Sequence, residues 1–133
     1  MHARSALVLL LVLTSCVGGP SGDSFSLHVA AKSPVAALQR INRAGAQCWP
    51  RSPDADLNTL HLVPELDTRA GLPRLLLLRK GNAEGLPVLV IEAAGSPVTI
   101  STYGPLAGTP TGRRVNTDIT RWSTGPLACR DGD

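Results

Sequence analysis

The sequence predicts an α+β fold: an antiparallel sheet of about four strands in a meander, with an N-terminal and a C-terminal helix packed on one face. Three observations point there. Val35, Leu38, Ile41, Gly45 and Cys48 recur at spacings of three and four behind Ser33-Pro34, which is one face of a helix. Short aliphatic runs between Leu57 and Tyr103 are separated by turn-rich links, too short for crossover connections. Val115, Ile119 and Trp122 then return to helical spacing ahead of Gly125-Pro126.

The elements follow in order. Phe25, Leu27 and Val29 alternate with Ser26, His28 and Ala30, a brief period-2 signal for a short strand over 25–30. Ser33 is a natural N-cap and Pro34 suits the first helical position, having no amide hydrogen to leave unpaired. Trp49-Pro50 ends that helix, because the residue before a proline is pushed away from helical angles. Arg51 to Asp56 reads as a loop. Strands are expected over Leu57–Val63, Arg74–Lys80, Val88–Glu92 and Val98–Tyr103. The four leucines Leu75 to Leu78, bracketed by proline and glycine, suggest a strand covered on both faces at its centre. A buried helix segment is the competing reading of that run. Only Val98 to Tyr103 alternates cleanly. The second helix starts near Thr111 or Asn116, runs to Ser123 and stops at Gly125-Pro126.

The first residues have a different character. Ala6 to Leu13 is an unbroken apolar run behind Arg4, and Leu13-Thr14-Ser15-Cys16 closes it. Such a run is too short for a membrane span, which needs about 20 apolar residues, so it reads as an export signal. The stretch resembles the lipobox of bacterial lipoprotein precursors, over residues 1–16 only. That resemblance implies cleavage before Cys16, diacylglyceryl attachment to its sulfur and acylation of the new amino terminus. Two or more acyl chains anchor stably where one does not. Val17 follows the cysteine; in the Gram-negative lipoproteins this resembles, aspartate there favours inner-membrane retention, so its absence favours the outer membrane, on the periplasmic side.

The resulting organisation is a signal peptide over 1–15, a lipidated cysteine and tether over 16–32, a domain over 33–129 and a tail over 130–133. Gly18 to Ser24 is tether-like in composition. The mature chain of 118 residues is one domain by size. It keeps every charged side chain but Arg4, leaving 12 Lys+Arg against 10 Asp+Glu. That near-neutral balance gives no reason to expect nucleic acid. Lipidating Cys16 leaves Cys48 and Cys129, and an exported chain lies in an oxidising compartment, so these two are expected to pair. Closing a loop of that size restricts the unfolded chain by roughly 4.5 kcal/mol in the entropic model. A reactive or metal-binding pair is the alternative, and no C-x-x-C spacing supports it.

Signals for chemistry are sparse. His61 lies in a strand pattern near Glu65, Asp54 and Asp56, and is read as a strand-face residue. Asp54-Ala55-Asp56 and Glu65-Leu66-Asp67 are paired carboxylates without the glycine-bearing spacing of a calcium loop, so neither a metal nor a cofactor is expected. No G-x-S-x-G or P-loop spacing is present. Arg69 and Arg74 bracket Gly71-Leu72-Pro73 in a charged link, and Arg113-Arg114 opens the second helix. These four arginines are the candidate binding residues. The expected function is a membrane-anchored envelope accessory, binding or structural and not enzymatic, held by the lipid on Cys16 and meeting an envelope protein. A binder of small apolar ligands and a periplasmic hydrolase using His61 are the alternatives.

Overall fold

The computed structural model describes residues 24–82 and 84–132. The signal peptide, the lipobox with Cys16 and the tether up to residue 23 lie outside the described residues.

Five strands form one antiparallel sheet: β1 (Phe25–Val29), β2 (Leu60–Glu65), β3 (Arg74–Arg79), β4 (Leu89–Ala94) and β5 (Val98–Tyr103). Their spatial order is β1-β5-β4-β3-β2. The last four are the expected meander. The fifth is Phe25–Val29, which pairs with β5 from Phe25↔Thr102 to Val29↔Val98. The short strand expected at 25–30 is thus part of the sheet, because Leu27 and Val29 find a sheet edge on which to bury their side chains.

Helix α1 (Pro34–Cys48) starts as expected, with the Ser33 hydroxyl accepting the Ala36 amide at 3.1 Å. It ends in a 3-10 turn over Trp49–Arg51. The loop expected at 51–56 instead yields a one-turn helix, α2 (Ala55–Asn58), capped by the Asp54 carboxylate. That turn claims Leu57 and Asn58, so β2 begins three residues later than expected and continues through Pro64. A proline is tolerated there because β2 is an edge strand. Helix α3 (Pro110–Thr124) begins earlier than expected, capped by Thr109 Oγ1 accepting the Gly112 amide at 3.1 Å. No helix among the described residues is long and apolar enough to cross a membrane.

Both long helices lie on one face of the sheet. Leu75, Leu77, Leu89, Ile91, Ala93, Val98 and Ile100 point to them and pack with Leu38, Ile41, Val115, Ile119 and Trp122 in one buried cluster. Removing about 25 cal/mol per Å² of apolar surface from water is the main stabilising term. Arg40 of α1 ties the helices together, donating from Nε to the Trp122 carbonyl at 2.7 Å and from Nη2 to the Gly125 carbonyl. The Trp122 carbonyl belongs to the last turn of α3 and Gly125 is its C-cap, where carbonyls have no partner within the helix.

The disulfide expected from the cysteine count is present. Cys48, at the end of α1, is bonded to Cys129, with Cα atoms 5.2 Å apart. Beside it the rings of Trp49 and Trp122 meet at 5.4 Å between centroids.

At the start of the expected tail, Arg130 is bonded to the domain. Arg130 Nε donates to Asp118 Oδ1 at 2.7 Å. Asp118 is fully buried and also accepts from Arg121 at 3.1 Å and from the Trp49 indole at 3.0 Å. A buried carboxylate is tolerated only with such partners.

Candidate functional site

The helices cover one sheet face, so the features available to a partner lie mainly on the other. The register sets them in rows. Val63, Leu76, Val90 and Tyr103 stand opposite one another across four strands. Next to them runs a polar row of Glu65, Arg74, Glu92, Ser101 and Ser26. Alternation along each strand sends both rows to the helix-free side. Leu78 and Val90 are buried there but stand apart from the core cluster between sheet and helices.

The polar row is internally paired. Arg74 Nε donates to Glu65 Oε2 at 2.6 Å. The Tyr103 hydroxyl donates to Glu92 Oε2 at 3.2 Å. Glu65 holds the Arg74 guanidinium above its ordinary range, with a smaller contribution from Tyr103. Desolvation pushes the Tyr103 phenol up, and the neighbouring Glu92 carboxylate pushes it further; Arg74 opposes both. In the β2–β3 link, Arg69 binds Asp67 through its guanidinium and its own amide, and both bonds lower the Asp67 carboxyl below the usual range. Exposed pairs of this kind order a loop more than they stabilise a fold. Glu65, Asp67, Ala70, Gly71, Leu72, Arg74 and Glu92 together line a hollow of about 180 Å³.

The four candidate arginines do not converge. Arg69 and Arg74 share the β2–β3 end of the sheet. Arg113 and Arg114 lie in the first turns of α3, on the helix side. Arg113 Nη1 donates to the Gly108 carbonyl at 2.7 Å, and the Arg114 carbonyl accepts from Arg130. With Phe25, Asn116, Thr117, Thr120 and Arg121, Arg113 lines an open groove of about 520 Å³.

Two of the three carboxylates near His61 are engaged elsewhere. Glu65 bonds to Arg74, and Asp54 caps α2 and receives the Thr111 hydroxyl at 3.2 Å. His61 is exposed on β2, lining a hollow of about 220 Å³ with Trp49, Leu62 and Lys80. Among the described residues no group of three or more His, Cys, Asp or Glu side chains is arranged to hold a metal ion.

Glu92 and Tyr103 were not singled out in the sequence, since their partnership depends on strand register. Asp118 was missed despite a signal. It falls at i+3 from Val115 and i−4 from Trp122, on the buried stripe of α3, where a carboxylate needs partners.

Comparison with protein-family models, with curated proteins and with solved structures finds no match for this chain.

Proposed function

We propose that this chain is an envelope lipoprotein, anchored by lipid on Cys16, whose domain is a non-catalytic accessory that binds an envelope protein through the helix-free sheet face. The observation that carries the reading is that face itself: half-buried Val63 and Leu76 and exposed Tyr103 around a buried Val90, bordered by the paired polar row around Arg74. An apolar centre with a polar rim is the usual anatomy of a protein contact. The Cys48–Cys129 bond supports the export that a lipoprotein requires.

A small apolar ligand is less well accommodated. Such a molecule needs a chamber of about 300 Å³ or more. Between sheet and helices, Leu38, Ile41, Leu77, Ile91, Ile100, Ile119 and Trp122 are almost entirely buried against one another. The larger hollow at Phe25 and α3 is an open groove on the rim.

Recovery of tagged protein from membranes in mild detergent tests the accessory role. The wild type should carry one reproducible membrane-protein partner, and Arg74→Glu, which sets a third acidic side chain beside Glu65 and Glu92, should lose it. Repeated recovery of nothing, or of the same partner by both proteins, sinks the reading.

A further inference from the structure

We infer that the end of the sheet carrying Ser24, Tyr103 and the β3–β4 loop is seated on the lipid bilayer, with Leu86 as the inserting side chain. The inference rests on lipidation at Cys16. Seven residues separate Cys16 from Ser24, so Ser24 lies within about 29 Å of the lipidated residue even at full stretch. The domain is thus held near a bilayer by one end, and the question is what that end presents.

Strand directions answer it. Phe25 pairs with Thr102, so Ser24 enters level with Tyr103, at the C-terminal end of β5. Because neighbouring strands are antiparallel, β4 begins and β3 finishes at that same end, with residues 80–88 joining them there. Within this link Leu86 is 91% exposed, the highest of the large apolar side chains among the described residues, and Tyr103 is 44% exposed. Two of the three exposed large apolar side chains therefore share the end at which the tether enters. The third, Leu72, is in the β2–β3 link at the opposite end.

An isolated leucine on a protein surface needs no explanation. An exposed leucine just past the turns of this link and a tyrosine at a membrane tether have one. Tyrosine suits the interface, with a buried ring and a hydrated hydroxyl, and the Tyr103 hydroxyl meets the Glu92 carboxylate on the side away from Leu86. Lys80 begins the same link, its ammonium donating to the Asn58 carbonyl at 2.7 Å, and the exposed Glu84 offsets its charge, so the seating rests on apolar contact and not on attraction to lipid phosphate. Seated by this end, the domain gives Tyr103, at the end of the apolar row, to the bilayer and leaves the row around Arg74 for a protein partner.

The test uses the full chain, purified from membranes of cells fed an alkynyl fatty acid and reconstituted into phosphatidylethanolamine–phosphatidylglycerol vesicles with brominated acyl chains. Leu86→Trp and Leu72→Trp each add an exposed indole, whereas Trp49 and Trp122 are buried and supply a constant background. In the Leu86→Trp protein the added emission should shift to shorter wavelength and lose roughly half its intensity to bromine, as insertion to the acyl boundary requires. The Leu72→Trp protein should show neither change. Label on Cys16 with equal or absent quenching at the two positions overturns the seating and leaves the lipoprotein reading intact. Absence of label, with Cys16→Ser indistinguishable from wild type, overturns the lipoprotein reading and the seating with it.

Discussion

The indole nitrogen of Trp49 donates to Asp118 Oδ2 at 3.0 Å, joining the end of α1 to the buried stripe of α3. Both residues are almost fully enclosed. Asp118 also holds Arg121 and Arg130, whose side chains keep about a third of their surface in water. The carboxylate is thus the most enclosed member of a polar cluster that fixes how the two helices and the C-terminal segment meet. Its value is specificity as much as stability, since buried ion pairs recover only part of their desolvation cost.

Removing the carboxylate should be expensive. Asp118→Ala leaves the Trp49 N–H buried without an acceptor and should cost about 3 kcal/mol in urea unfolding. Trp49→Phe, which removes the donor together with ring atoms packed beside Gly45 and Trp122, should cost about 2–3 kcal/mol. A double-mutant cycle of Trp49→Phe with Asp118→Ala should give a coupling energy of about 1 kcal/mol. Additive effects would show that the bond carries nothing.

The disulfide closes 81 residues of chain separation. Cys129→Ser should lower stability by about 2–4 kcal/mol, and a reductant should produce a similar loss in the wild type but none in the variant. Equal stability of wild type and Cys129→Ser under non-reducing conditions would remove the bond from the framework.

Gly112 gives a prediction whose sign separates packing from propensity. In an exposed helix interior, glycine to alanine stabilises by about 1 kcal/mol. Here a Cβ would stand 2.1 Å from the Leu106 carbonyl oxygen, a backbone atom that cannot swing aside. Gly112→Ala should therefore destabilise, by about 1–3 kcal/mol as for other overpacked sites. Thermal unfolding of the variant decides the sign.

Tyr103 is the one tyrosine of the chain, so its titration can be followed without assignment by ultraviolet absorbance. It should ionise above the ordinary value of 10.0, because burial and the Glu92 carboxylate disfavour phenolate. The stability linked to it is present below the unfolded value and is lost as pH rises through the folded one. Glu92→Gln should bring the midpoint down and Arg74→Met should send it higher. A midpoint unmoved by Glu92→Gln would break the link between the apolar and polar rows.

The fold was legible where one local signal decided it. Ser33-Pro34 fixes the start of α1 and the spacing from Val35 to Cys48 its buried face, but Trp49, expected to leave helical angles before Pro50, keeps them at φ −64° and ψ −36° and leads into the 3-10 turn. Val98–Tyr103 alternates cleanly because one face of β5 packs on the helices. Thr109-Pro110 is the same kind of cap as Ser33-Pro34. Gly112 follows it in the first turn, where glycine is a poor helix former, yet glycine is required there by the close Leu106 carbonyl. Asp54 turned a loop into α2 by capping it, which displaced the start of β2. Of the candidate site, Arg74 was found as a charge in a link. Its pairing with Glu65, the place of Glu92 beside it and the row ending at Tyr103 follow from strand register, which no short stretch of sequence contains.

The intact mass of the protein recovered from membranes tests the central claim most directly. A lipid-anchored chain should begin at Cys16 and carry the added mass of a diacylglyceryl group and an amide-linked acyl chain, and Cys16→Ser should abolish that mass and leave the membrane fraction. A mature chain without added lipid mass, membrane-bound or not, would contradict it.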